Sequence, residues 1–145
     1  MKKRIMIIGA QKSGKSSIAN WLNGATTPLK KRQDAIYGEF TIDVPAQYLE
    51  NVSMYRYILT LAQTAGCVLF LESAQAQETL YPPNFAASFN CPVLGLIIGA
   101  TGEASSYQRA IDFLHAAGAK ETRVLDCLSS EEKAALKKSL LEVLI

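Results

Sequence analysis

The chain lacks the features that would place it in a membrane, on nucleic acid or outside the cell. No run of about 18 apolar residues is present, so no segment is predicted to span a membrane. A net charge of +2 over 145 residues is too small to favour nucleic acid or a charged membrane surface as a partner. The N-terminus passes from a basic stub into an apolar run without the pattern of a signal peptide. We therefore expect one cytoplasmic domain, residues 1–145.

Cysteine and histidine are scarce, which argues against two kinds of site. The three cysteines, Cys67, Cys91 and Cys127, lie far apart and lack the close spacing of metal ligands. They stand in apolar stretches, so we expect reduced, buried thiols. The single histidine, His115, lies in a helical pattern, which argues against a histidine-based catalytic triad.

A glycine-rich motif near the N-terminus carries the strongest chemical signal. Residues 9–16, GAQKSGKS, match the phosphate-binding pattern G-x-x-x-x-G-K-[ST], the Walker A motif. An apolar run, residues 4–8, precedes the motif and a helical pattern, residues 17–22, follows it, as a strand–loop–helix requires. Inward-pointing backbone N–H groups and the positive end of the helix would hold phosphate there. The predicted phosphate-binding residues are Gly9, Lys12, Ser13, Gly14, Lys15, Ser16 and Ser17.

The metal that accompanies a nucleotide has two candidate ligands. The Ser16 hydroxyl would bind Mg²⁺ while Lys15 reaches the β- and γ-phosphates. Asp43 stands at the end of a short apolar run, where an acid belongs in the Mg²⁺ shell. The run resembles the D-x-x-G segment of small GTPases, with Ala46 in place of the glycine. Gln47 stands where many of those enzymes have a catalytic, water-orienting glutamine, although a polar residue entering a helix is an equally good interpretation.

Strand and helix patterns alternate along the rest of the chain. The predicted strands are residues 40–44, 67–71, 92–98 and 122–126, and the predicted helices are residues 48–64 and 106–117. Ser129 and Glu132 have the spacing of a capping box at the start of a C-terminal helix. This alternation predicts an α/β fold with a parallel sheet and helices on both faces.

Two long connections join these elements. Residues 24–38 are predicted to be a loop, the natural place for a nucleotide-sensing switch in a P-loop fold. Residues 73–91 contain an apolar and aromatic segment, Tyr81-Pro82-Pro83-Asn84-Phe85. That segment could form a surface for a partner, but a loop folded onto the end of the sheet is the favoured interpretation.

Nearly the whole chain resembles the P-loop proteins of ethanolamine and propanediol utilisation, the EutP/PduV family. The resemblance rests on residues 1–9 with the motif that follows, and on residues 30–33, 42–45, 47–51, 81–83, 85–86 and 92–95. It implies a P-loop NTPase fold, a small-GTPase-like three-layer sandwich with a mostly parallel sheet. Asp43 follows Lys15 closely in the sequence, which implies a shortened switch I region whose first strand hairpin is reduced or missing.

The chain departs from the family's pattern at the switch and at the base-reading motif. Arg32 replaces the switch threonine. The guanine-reading motif aligns with residues 98–101, where Gly99 and Thr101 replace its lysine and aspartate. The segment after the last strand aligns with Cys127 and Leu128. The expected cofactors are therefore Mg²⁺ and GTP or ATP, with the choice of base left open.

Two functions follow, and the sequence leaves both open. The first is a nucleotide-binding protein of ethanolamine or propanediol catabolism with slow or no NTPase turnover, which the intact residues 14–16 favour. The second is a pseudo-GTPase module that docks to shell or enzyme proteins of a bacterial microcompartment, which the altered switch favours. The resemblance alone implies this location and these partners. Phosphate binding that only stabilises the fold is a third interpretation.

Overall fold

A computed structural model describes residues 3–10, 15–24, 30–32, 35–38, 40–99, 107–142 and 144. For residues 16, 30–32 and 35–37 it describes the backbone alone. The strands are β1 Arg4–Ile8, β2 Lys30–Arg32, β3 Ala35–Tyr37, β4 Thr41–Asp43, β5 Ala65–Ser73, β6 Val93–Ile98 and β7 Glu121–Val124. The helices are α1 Lys15–Asn23, α2 Ala46–Glu50, α3 Tyr55–Ala62, α4 Gln108–Ala116 and α5 Ser130–Glu142. Short 3₁₀ turns cover Val52–Met54, Phe85–Ser88 and Leu125–Cys127.

The described strands form one mostly parallel sheet, as the alternating pattern predicted. Its order is β2-β3-β4-β1-β5-β6-β7, and the pairs from β4 to β7 are all parallel. β2 and β3 are antiparallel additions at one edge. The first hairpin is therefore reduced rather than missing, with strands of three residues each. The prediction of a continuous loop over residues 24–38 was wrong where these two strands form.

Two apolar layers lie on opposite faces of the sheet, which makes the domain a three-layer sandwich. In β1, Met6 and Ile8 face one layer, while Ile5 and Ile7 face the layer that α1 covers. Such alternation is the two-residue period of a strand, and a central strand with both faces buried must be apolar throughout. The apolar core therefore extends to Ile8, the last residue of β1.

The aromatic segment between β5 and β6 packs onto the sheet, which agrees with the favoured interpretation of residues 73–91. Tyr81, Phe85 and Phe89 are buried, and their rings lie 4.6, 5.9 and 5.7 Å from the ring of Phe70 on β5. These side chains cover this part of the sheet face, where a helix would otherwise be needed to exclude water.

The predicted single helix over residues 48–64 was wrong. The chain forms α2, a 3₁₀ turn and α3 instead, because Asn51 has extended backbone angles, φ −123° and ψ 113°. The Asn51 side-chain oxygen accepts a hydrogen bond from the N–H of Ser53 at 3.0 Å, which replaces a helical bond. The apolar spacing was that of a helix, but one short polar side chain divides it.

The other local predictions had mixed outcomes. The capping box of α5 is confirmed, because Ser129 and Glu132 each accept the other's backbone N–H at 3.1 Å. His115 is exposed on α4, as expected. All three cysteines are free, but Cys127 is exposed, contrary to the expectation of buried thiols. Within the described ranges, no helix is both long and apolar enough to cross a membrane.

Candidate nucleotide-binding site

The predicted site lies at the carboxyl ends of the parallel strands. β1 ends at Ile8, buried Gly9 and half-buried Ala10 follow, and α1 begins at Lys15. The carboxyl edge of a parallel sheet is where such folds bind their ligands. Of the predicted phosphate ligands, Lys12, Ser13 and Gly14 lie outside the described residues.

Lys15 bridges the two ends of the loop. Its ammonium Nζ donates to the backbone carbonyl of Ala10 at 3.4 Å, so the charge is held over the start of the loop. As the first residue of α1, Lys15 also begins the turn whose backbone N–H groups have no partner within the helix. Ser16 stands in this turn, although its hydroxyl lies outside the described atoms, and the side chain of Ser17 is exposed. The described half of the loop thus has the positive charge that a phosphate requires.

Asp43 lies at the same edge, near enough for the charge of Lys15 to act on its carboxyl. It ends β4 directly beside β1, where Ile7 is its register partner, and only 8% of its surface is exposed. Burial raises the pKa of the Asp43 carboxyl, and the positive charge of Lys15 opposes that rise. A carboxylate oxygen at this edge is a donor that suits Mg²⁺, so the described residues fit this metal. The structure thus brings together the predicted phosphate lysine and the predicted metal-binding acid.

Gln47 lies near the same edge but is not held in place. It follows buried Ala46 in the first turn of α2, and its side chain is exposed. Among the described residues, that side chain forms no hydrogen bond with a partner. Its water-orienting role therefore stays a prediction.

A polar pair near the end of β1, Tyr81 and Glu72, was not predicted from the sequence. The Tyr81 hydroxyl lies 2.7 Å from the carbonyl of Leu71 and 3.0 Å from that of Ile8, the last residue before the loop. Next to Leu71, the carboxyl of Glu72 is 5% exposed and accepts one hydrogen bond, from the Thr79 hydroxyl at 2.9 Å. Burial raises the pKa of Glu72 to about 7 despite that hydrogen bond. The sequence signal that could have identified Glu72 is an acidic residue directly after the apolar run 67–71.

The region aligned with the base-reading motif is built around a glycine turn. Gly99 has φ +82°, its N–H donates to the Asp126 carboxylate at 2.6 Å, and its carbonyl accepts from the Gln75 amide at 2.5 Å. A side chain at residue 99 would be strained at that angle and would press on Gln75. The position of the family's lysine is thus occupied by a glycine that forms a tight local turn. Ala100, Thr101 and the Arg32 side chain lie outside the described part of the structure.

The chain has the fold of known G domains. The G domain of the T. maritima FeoB iron transporter superposes with a TM-score of 0.61 at 18% identity, covering 97% of this chain and 98% of that one. Era from Aquifex aeolicus, solved with GDP and AlF4⁻, has a TM-score of 0.56 at 19% identity, over all of this chain and 58% of Era. The small-GTPase-like P-loop fold predicted from the sequence is therefore confirmed.

The chain is also similar in sequence to known proteins. The propanediol utilization protein PduV of Citrobacter freundii is 35% identical over 98 residues, which are 68% of this chain and 65% of PduV. The probable acetate kinase EutP of Salmonella typhimurium is 27% identical over 81 residues, 55% of this chain and 51% of EutP. The matches thus span between half and two-thirds of these relatives. The model of the PduV-EutP family, described as ethanolamine utilisation and propanediol utilisation, matches residues 2–142, and the chain therefore belongs to this family.

Proposed function

We propose that this chain binds a nucleoside triphosphate together with Mg²⁺ at the loop between β1 and α1. The observation that carries the proposal is that Lys15, the lysine of the phosphate-binding motif, and Asp43 lie at the same carboxyl edge of the sheet, where the charge of Lys15 acts on the Asp43 carboxyl. Long-range packing places the two groups together, since one begins a helix and the other ends a strand. A solvated glycine turn would require neither a buried acid nor a lysine held over it.

Each part of the site has a distinct task in this proposal. Lys15 and the N–H groups of residues 13–16 neutralise phosphate charge, and Gly9 lets the chain turn into the loop. Ser16 and Asp43 hold Mg²⁺, which when bound screens the charge of the phosphate oxygens. Burial opposes the charged form of Asp43, and a bound dication offsets that cost.

We further propose that the site turns over slowly, and expect hydrolysis of GTP or ATP at no more than about 10⁻⁴ s⁻¹, the rate of an unassisted GTPase. The reason is positional: Gln47 is exposed and unheld, Arg32 replaces the switch threonine, and Ala46 replaces the mobile glycine. Single-turnover assays with radiolabelled nucleotide measure the rate. A rate near about 1 s⁻¹ that disappears in both Lys15→Ala and Gln47→Ala would contradict the proposal.

The same assay should include acetate, because one relative is named a probable acetate kinase. Phosphoryl transfer to acetate would release acetyl phosphate and nucleoside diphosphate instead of inorganic phosphate. Since the chain spans about half of that relative, we expect no acetyl phosphate above the background of the Lys15→Ala variant. Acetyl phosphate formed by wild type alone would replace slow hydrolysis with a kinase function.

We expect weak discrimination between GTP and ATP, within about 1–2 kcal/mol, since the charged guanine acceptor of the family is absent from the sequence. Calorimetric titration with each nucleotide and Mg²⁺ measures the difference. Thr101→Asp should raise GTP affinity selectively, whereas Thr101→Asn is the matched neutral control. A wild-type preference for GTP of about a thousandfold, roughly 4 kcal/mol, would show that another group reads guanine.

Membership of the PduV-EutP family supports a role in ethanolamine or propanediol utilisation, and we propose that the chain acts in the cytoplasm at bacterial microcompartments. One observation favours the second candidate, an interaction module. Val52 and Tyr57 are exposed by 73% and 44% beside the α2–α3 connection, and the Arg56 guanidinium lies 5.3 Å from the Tyr57 ring. Such a surface suits a protein partner, for which shell or enzyme proteins of the microcompartment are the candidates.

A further inference from the structure

A buried asparagine ties the far end of the nucleotide-site helix to the strand that carries the metal-binding acid. Asn23, the last residue of α1, is 7% exposed. Its amide Nδ2 donates to the carbonyl of Ala19 at 2.8 Å and to the hydroxyl of Thr41 at 2.7 Å. Its Oδ1 accepts the backbone N–H of Phe40 at 2.8 Å. One side chain thus joins α1 to the first residue of β4 and to the residue before it.

The link lies at the opposite end of the same helix–strand pair as the candidate site. α1 begins with Lys15 and ends with Asn23, whereas β4 begins with Thr41 and ends with Asp43. Because side chains alternate along a strand, Asp43 faces the same side of the sheet as Thr41, the side that α1 covers. Helix and strand are therefore joined by the Asn23–Thr41 hydrogen bond at one end, and at the other end the charge of Lys15 acts on the Asp43 carboxyl without a direct bond between them.

The turn that enters β4 leaves this link little room to move. The N–H of Gly38 donates to the carbonyl of Thr41 at 2.9 Å, and Arg4 Nε donates to the carbonyl of Gly38 at 3.0 Å. A Cβ atom at Gly38 would overlap the Asn23 side chain, most closely at Nδ2. The glycine thus permits the Asn23 amide to reach Thr41, and β4 cannot slide along α1 without breaking several bonds.

We propose that Asn23 is a positioning residue for the Mg²⁺ and phosphate site, because it fixes β4 along α1 and so sets where Asp43 stands relative to Lys15. The inference rests on the proposed nucleotide function and adds a residue that lies at the other end of the helix from the ligand. Oxygen ligands of Mg²⁺ must lie within a narrow distance of the ion, so a small shift of β4 weakens the metal contribution. Phosphate contacts made by the loop alone are unaffected by such a shift.

The test separates metal coupling from phosphate binding. Calorimetry gives the dissociation constant of ATP with Mg²⁺ and with EDTA, and the value in EDTA divided by the value with Mg²⁺ reports how much the metal strengthens binding. In Asn23→Ala we expect this ratio to fall about tenfold, the usual effect of losing a residue that orients a metal ligand. The affinity in EDTA should stay the same within about twofold, since Asn23 has no part in the phosphate loop. Asp43→Asn sets the ratio for a site that lacks the acid.

A structural role alone would not give this pattern, and matched variants show the difference. Leu22→Val removes one methylene from the same helix at a position as buried as Asn23, but leaves the polar link intact. Its ratio should equal that of wild type even though its melting temperature falls. If Asn23→Ala does not fold, Thr41→Val removes the hydroxyl with little change in volume, and Gly38→Ala pushes the Asn23 amide away. Both should lower the ratio.

Each outcome has one meaning. Wild-type ratios in folded Asn23→Ala or Thr41→Val would overturn the positioning role while leaving nucleotide binding in place. Equal losses in Leu22→Val and Asn23→Ala would also overturn it, because general loosening would then explain the effect. No ATP binding by wild type in either buffer would overturn the proposed function itself.

Discussion

Lys15→Ala is expected to lower the affinity for Mg²⁺-ATP and Mg²⁺-GTP by about 2–3 kcal/mol, roughly 30- to 150-fold. The ammonium is held over the loop by the carbonyl of Ala10, so its position needs little rearrangement when phosphate binds. Hydrogen bonds between charged groups are stronger than those between neutral groups, and α1 contains no second lysine that could replace Lys15. Calorimetric titration measures the change, and the ligand-induced rise in melting temperature checks it.

Lys120→Ala is the matched control for this prediction. Lys120 is exposed and precedes β7, at the edge of the sheet away from the loop, and its removal costs the same net charge. Its affinities should stay within about twofold of wild type, because surface charge acts weakly at that distance in salt. If Lys15→Ala and Lys120→Ala were indistinguishable from wild type, phosphate would not lie against this loop.

Glu72→Gln should raise the free energy of unfolding by about 3 kcal/mol at pH 8 relative to wild type, and by almost nothing at pH 4.5. The pKa of Glu72 is about 7 in the folded chain, against an ordinary value of 4.5, because burial disfavours the charged form. The folded state therefore keeps a proton that the unfolded state has lost. Stability from this group is complete below pH 4.5 and is lost as the pH rises through about 7.

Urea unfolding followed by the fluorescence of the single tryptophan, Trp21, measures this effect at several pH values. Only the difference between wild type and variant is used, since other groups titrate in the same range. Glu78→Gln, at an exposed position on the connection that follows β5, is the control, and its stability relative to wild type should be the same at every pH. Parallel curves for wild type and Glu72→Gln would mean that the carboxyl is solvated in the folded chain.

The parts of the fold that the sequence predicted are those that local pattern determines. β1, β5 and β6 are central strands with apolar residues on both faces, and such runs have few alternatives. The capping box of α5 depends on two residues three positions apart. The phosphate motif is equally local, which is why Lys15 could be assigned before any contact was known.

The parts that the sequence did not predict depend on contacts between distant residues. β2 has the charged composition of a solvated loop and becomes a strand only by pairing with β3 at the sheet edge. The hydrogen bonds of Asn23 and Glu72 join residues whose separation in sequence carries no pattern. Asn51 is the exception, because its effect is local: a short amide can compete with helical hydrogen bonds, and the spacing of apolar residues does not reveal this.

Calorimetric titration of the wild-type protein with ATP, GTP and tripolyphosphate, each with Mg²⁺, tests the central claim most directly. We expect saturable binding of all three ligands at one site because the loop recognises phosphate. The nucleotides should therefore compete with tripolyphosphate. Binding should also weaken in EDTA, since Asp43 and Ser16 hold the metal. If none of the three ligands bound at millimolar concentration, the central claim would be wrong and the motif would be a turn without a ligand.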